Sequence, residues 1–203
     1  MPHPTVDFQK SPFIVIWEVT QACDMACLHC RAKAQPDPLP GELSHEEGLT
    51  LIDAIADLGT PILVLSGGDP LKRKDLLELI RHGKARGLRM ATIPAATPLL
   101  TSKVVRALKE AGLDQMALSL DASTPQAHDQ FRRIEGAFDK TLAAVQWTHE
   151  AKLPVQINSV ITQHNLEDVD DLIRLVSKLG VVFWEVFFLV PVGRGAQIPG
   201  LTA

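Results

Sequence analysis

The stretch Phe13-Ile-Val-Ile-Trp-Glu-Val19-Thr-Gln-Ala-Cys23-Asp-Met-Ala-Cys27-Leu-His-Cys30 joins two unlike pieces. The first is an apolar run of strand length, rich in bulky and β-branched residues, and it predicts a buried β-strand. The second holds every cysteine of the chain, in the spacing C-x3-C-x2-C. A strand that delivers its chain straight into a ligand-rich loop is the first half of a βα unit. The fold then depends on whether that unit repeats.

It repeats six times. Ser44-His-Glu-Glu47 is a capping box that opens a helix running to about Leu58, and Gly59 ends it. Pro61–Leu65 reads as a second strand, followed by a helix from about Lys74 to Arg86 that stops at Gly87. Leu88–Ile93 is a third strand, and Thr101 or Ser102 caps a helix that stops at Gly112. Gln115–Leu120 is a fourth strand. Thr124-Pro125 starts a short helix with proline at its first position, and a longer helix covers Phe138–Ala151. Pro154–Ile161 is a fifth strand, Asn165 caps a helix to Leu179, and Val181–Leu189 is a sixth strand. Strands apolar on both faces, alternating with helices, predict an α/β fold with a parallel sheet inside and helices outside. Right-handed crossovers curl six such units into a partial barrel. A doubly wound open sheet is the competing arrangement. Its dinucleotide-binding version is removed, because no Gly-x-Gly-x-x-Gly follows the first strand.

Ligand counting interprets the cysteine loop. Thiolates select zinc, copper(I) or iron–sulfur clusters. A structural zinc site is closed by four ligands, usually as two short pairs, and here the second pair is absent. Ordinary electron-transfer clusters also take four cysteines. A cubane held by three leaves one iron free for a small molecule. His29 is the one candidate fourth ligand for a Cys3His zinc site, but it lies between Cys27 and Cys30 in a tight turn. A disulfide framework fits an odd number of cysteines poorly.

The lead-in Trp17-Glu-Val-Thr-Gln-Ala-Cys23 and the ending His29-Cys30-Arg-Ala resemble the signature of the radical S-adenosylmethionine (SAM) superfamily. The resemblance runs from about Phe13 to Gly195 and implies a (β/α)6 partial TIM barrel. It also implies a [4Fe–4S] cluster on Cys23, Cys27 and Cys30, whose open iron chelates SAM. In that family an electron from the cluster cleaves the sulfonium to a 5′-deoxyadenosyl radical, which abstracts hydrogen from an organic substrate. An electron donor such as a flavodoxin or ferredoxin is implied with it. His29 stands at the family's aromatic position near adenine. Ser66-Gly67-Gly68-Asp69-Pro70 resembles the Gly-Gly-Glu-Pro motif that holds the SAM amino group, with the shorter Asp69 giving the backbone more of the work.

In barrels of this kind the site lies at the C-terminal ends of the strands. Ser119 and Asp121 end the fourth strand, where the family binds ribose. Arg132 (or Arg133) follows within reach, with a guanidinium suited to the SAM carboxylate. Asn158 and Ser159 are polar residues inside an apolar fifth strand, and Val190 ends the sixth, where relatives pack adenine. The third strand departs from the family: Thr92-Ile-Pro-Ala-Ala-Thr97 stands where a Thr-Asn-Gly turn is common. The Trp-Glu-x-Thr lead-in and the Cys-x-His-Cys-Arg-Ala ending resemble the branch that includes enzymes of haem and haem d1 biosynthesis and peptide-modifying maturases, which implies a tetrapyrrole or peptide substrate. Those relatives usually carry a cysteine-rich C-terminal extension. Non-catalytic binding of cluster and SAM, or a zinc-stabilised structural domain, are the alternative readings.

Composition sets the outer limits. With 46% hydrophobic and 22% charged residues, the 203-residue chain reads as one soluble domain with a real core. A net charge of −4 gives no footprint for nucleic acid. Lys72-Arg73-Lys74 reads as a solvated helix start. The N-terminus lacks a signal-peptide pattern, and the longest apolar run, Val181–Val192, is broken by Glu185, so no membrane span is expected. Free cysteines without an export signal point to the cytoplasm. The expected organisation is an N-terminal extension over 1–12, a core over 13–195, and a tail over 196–203 that reads as truncated.

Overall fold

A computed structural model describes residues 7–201; residues 1–6 of the expected extension and 202–203 of the tail lie outside the described residues. Six strands follow in chain order: β1 Ile14–Glu18, β2 Ile62–Ser66, β3 Arg89–Thr92, β4 Gln115–Ser119, β5 Val155–Ile161 and β6 Phe183–Phe188. Their order in the sheet is the same as their order in the chain, and every pairing is parallel. A doubly wound sheet reverses its strand order at a switch point. This sheet never reverses, so it curls in one direction into a half-barrel with the helices outside.

The helices are α1 His45–Asp57, α2 Leu76–Ala85, α3 Ser102–Glu110, α4 Pro125–Arg132, α5 Ala137–Glu150 and α6 Val169–Val176. The Ser44 box forms in both directions: Ser44 Oγ accepts from Glu47 N at 3.3 Å, and Glu47 Oε2 accepts from Ser44 N at 2.8 Å. Helix faces and strand faces share one core that includes Ile52, Leu63, Leu79, Met90, Leu108, Leu118 and Ile157, all fully enclosed. Burying each such side chain contributes about 1.5–3 kcal/mol.

Three local expectations are corrected. Asn165 does not cap α6. Its side chain is buried, accepts from Thr162 N at 2.8 Å and donates to the carbonyls of Asp121 and Val160; a 3₁₀ turn, Leu166–Asp168, leads into α6 instead. The sixth strand is not buried on both faces, because it ends the sheet: Phe183 and Phe188 are 55% and 70% exposed. Arg73 is not a solvated helix start. Its guanidinium lies 5.1 Å over the Trp17 ring and donates to the carbonyls of Val19, Leu43 and Ser44. Lys72 joins it by bonding Asp24 and, at 2.7 Å, the Pro36 carbonyl.

Candidate active site

The ends of β1 and β2 build the floor of a cleft of about 380 Å³ at the C-terminal mouth of the half-barrel. Pairing continues past the strands themselves: Val19 N donates to Ser66 O at 2.9 Å, Gly68 N to Thr20 O and Asp69 N to Ala22 O, both at 2.7 Å. Gly67 sits at φ +141°, and a side chain at Gly68 would lie 2.6 Å from the Gln21 carbonyl and overlap that of Ala22. The two glycines therefore let the cysteine loop approach β2. Sequence reasoning assigned that closeness to a ligand; the backbone in contact is the loop that carries the cysteines.

Cys23, Cys27 and Cys30 all line the cleft. Each sulfur accepts one hydrogen bond: Cys23 from Met25 N at 3.4 Å, Cys30 from Ala34 N at 3.4 Å, and Cys27 from Arg132 Nη1 at 3.8 Å. Donors aimed at sulfur favour thiolate and tune any metal bound there. Among the described residues, no three His, Cys, Asp or Glu side chains converge closely enough to hold a single metal ion. Three thiolates with no fourth protein ligand are the donor set a cubane with one open position would take, whereas a structural zinc site is closed by four. The donor set therefore fits a cluster better than a mononuclear Cys3His zinc site.

Burial raises the metal-free thiols. Cys23 is pushed up to about 11, and Cys27 is raised too, against the opposing pull of Arg132. Metal loading must then displace protons. The folded value of Cys23 lies above its ordinary 9.0, so its contribution to apo stability is full below pH 9 and is lost as pH rises through about 11. Iodoacetamide at pH 8 should accordingly spare Cys23 in the folded apo chain and modify it once denaturant is added. Mass spectrometry reads the outcome, and equal labelling in both states would refute the burial argument.

His29 stacks on Phe131 of α4, with ring centroids 4.5 Å apart and planes within 9°. Burial lowers it to about 4, so the ring is neutral near pH 7; its Nδ1 is buried without a partner among the described residues. Gly67, Gly68, Ser119, Arg132, Asn158 and Val190 line the same cleft. Arg133 does not: it sits exposed in the left-handed region at the end of α4.

Two acids expected at the site face away from it. Asp69 is fully buried; Oδ1 accepts from Leu71 N and Ala95 N, and Oδ2 from Thr97 Oγ1 at 2.9 Å. Its short side chain is used up in tying the β2 loop to the β3 loop. Asp121 is also enclosed. Its Oδ2 pairs with Arg132 at 2.5 Å, and its Oδ1 accepts from Val160 N at 2.8 Å. Burial alone would raise the Asp121 carboxyl, but the Arg132 guanidinium holds it below the usual carboxylate range. Asp121 thus positions Arg132 and does not reach the cleft. Ser159 is likewise spent, donating to the Leu120 carbonyl and accepting from Trp184 Nε1 at 2.9 Å.

Sequence reasoning missed Arg194 and the β3 loop. Arg194, in the turn Gly193–Gln197 after β6, donates to the carbonyls of Cys27 and Ala34 at 2.8 and 2.9 Å and lines the cleft. The signal was an arginine flanked by two glycines directly after the last strand. Ile93, Pro94 and Ala95 also line the cleft, although their loop lacks the family's usual turn.

Residues 17–176 match the family model of the radical SAM superfamily. The chain belongs to the radical SAM superfamily. Members of this superfamily use a [4Fe–4S] cluster together with SAM. An AdoMet-dependent heme synthase of Oleidesulfovibrio alaskensis is 39% identical over 198 residues, covering 98% of this chain and 51% of that protein. A second protein of that name, from Methanosarcina barkeri, is 40% identical over 188 residues, covering 93% and 54%. The chain thus spans about half the length of these curated relatives. Streptococcus suis SuiB, solved with S-adenosylmethionine bound, superposes with a TM-score of 0.81 over 95% of this chain and 44% of that one. At 16% identity, this superposition establishes the radical SAM partial-barrel fold alone. Among the described residues, no helix is long and apolar enough to cross a membrane.

Proposed function

We propose that this chain is the SAM-cleaving core of a radical enzyme acting on a tetrapyrrole of haem biosynthesis. The observation that carries the reading is the set of three thiols, each with its own hydrogen-bond donor, along one wall of the strand-end cleft. Cys23, Cys27 and Cys30 are the residues that would hold a [4Fe–4S] cluster, and three protein ligands would leave it one position open to SAM. When bound, the cluster supplies the electron that splits the sulfonium into methionine and a 5′-deoxyadenosyl radical.

The chain's own groups bind, orient and exclude water. Gly67 and Gly68 present backbone to the methionyl end, with Arg132 as the cation for its carboxylate. Ser119 and Asn158 offer hydrogen bonds to the ribose, while His29 and Val190 flank the adenine. Phe187, Phe188 and Leu189 add an apolar wall that suits a flat, apolar substrate. The 39–40% identity to heme synthases favours a tetrapyrrole over a peptide. A one-electron donor such as flavodoxin or ferredoxin completes the cycle, and three free cysteines suit the reducing cytoplasm.

The test is anaerobic reconstitution followed by SAM and dithionite. Wild type should release 5′-deoxyadenosine and methionine, and Cys27→Ala should release neither. A chain that binds cluster and SAM yet yields no 5′-deoxyadenosine would be a non-catalytic binder, and the enzymatic reading would fail.

A further inference from the structure

The chain after β6 folds back onto the cysteine loop. Arg194 makes three bonds to that loop: its backbone N donates to Cys30 O at 2.9 Å, Nε to Cys27 O at 2.8 Å, and Nη1 to Ala34 O at 2.9 Å. Gly193, at φ +60°, permits this approach; a side chain there would lie 2.5 Å from the Cys30 carbonyl and overlap that of Arg31. Arg194 Nη2 is buried and has no partner among the described residues. The contacts join residues 160 or more positions apart in sequence.

We propose that Arg194 is a positioning residue for the cluster, clamping the three-cysteine loop in its metal-binding shape and holding a positive charge beside it. The inference rests on the cluster reading above. The planar fork spans two carbonyls seven residues apart, Cys27 and Ala34, which the point charge of a lysine on a flexible stem does not reproduce. By fixing those carbonyls on the guanidinium, the clamp keeps their negative ends off the cluster's side of the loop. A bound cluster with three thiolates is anionic, and a nearby fixed cation favours its more reduced state. Groups that orient metal ligands in this way typically change metal affinity by about 10–100-fold.

The experiment reconstitutes wild type, Arg194→Lys and Arg194→Met anaerobically and follows iron release to a chelator, with circular dichroism to verify folding. Both variants should release iron about tenfold faster than wild type or more. The midpoint potential of the cluster, read by electron paramagnetic resonance, should fall in Arg194→Met and stay near wild type in Arg194→Lys, which keeps the charge. Gly193→Ala, which forces the turn off the loop without touching the guanidinium, should also release iron faster and serves if Arg194→Met does not fold. Release at the wild-type rate, or an unshifted potential in Arg194→Met, overturns the proposal. A wild-type chain that takes up no iron would instead overturn the cluster reading on which it stands.

Discussion

Arg132→Met should cost about 3–5 kcal/mol of stability in the metal-free chain, because it strands a buried carboxylate. Asp121 has no exposed side-chain surface, and Arg132 is its cation. Burial opposes the charge on Arg132, yet Asp121 and the Cys27 sulfur hold it protonated. Asp121 lies below its ordinary pKa in the folded chain, so its stabilisation is present at neutral pH and is lost as pH falls through the carboxylate range. Removing the guanidinium reverses that sign: burial then pushes the carboxyl up, and the variant becomes relatively more stable in acid. Urea unfolding at pH 7 and pH 4 reads both effects. The double variant Arg132→Met, Asp121→Asn removes the stranded charge and should recover much of the loss. A single-variant cost under about 1 kcal/mol would place the pair among exposed ion pairs and refute its structural role.

Gly68→Ala should separate folding from metal binding less cleanly but with the larger effect on the site. The new methyl meets backbone on the cysteine loop, at Gln21 O and Ala22 O, and neither can swing aside as a flexible side chain would. Overpacking of this kind costs about 1–3 kcal/mol. The strain falls on the segment that aims Cys23, so iron retention should drop by about 10–100-fold. Gly200→Ala is the control, since nothing lies within 4 Å of a side chain there. Iron per chain after desalting, measured beside the melting temperature, checks the prediction. Wild-type iron content in Gly68→Ala would show that the loop does not depend on this approach.

The fold was legible because its signals are local and repeated. The Ser44 box, the glycines after the first three helices (Gly59, Gly87 and Gly112) and the apolar strand runs each announce an element without reference to the rest of the chain. Direction of curl was implied by the family resemblance only, since strand rhythm leaves a doubly wound sheet open; the unreversed strand order decides it. Exposure of β6 was not legible, because a run such as Phe183–Phe188 looks alike whether or not another strand lies beyond it. In the site, the presence of the cysteines and the glycine pair at one strand-end cleft could be read, but not that the glycines' close neighbour is the cysteine loop itself. Asp69 and Asp121 were read correctly as strand-end acids, but no sequence pattern says which way a carboxylate turns. Thr97 and Arg132 decide that, and they reach those acids only in the folded chain. Arg194 escaped for the same reason: its partners Cys27, Cys30 and Ala34 are brought to it by closure of the whole half-barrel.

On the function proposed above, the three-cysteine loop holds a cluster with one iron open to SAM. Electron paramagnetic resonance of the reconstituted, reduced chain, recorded before and after adding SAM, tests it most directly. About four irons per chain are expected, with a reduced-cluster signal whose shape changes when SAM binds. Zinc as the sole bound metal, or an iron–sulfur signal that SAM leaves unaltered, would contradict it.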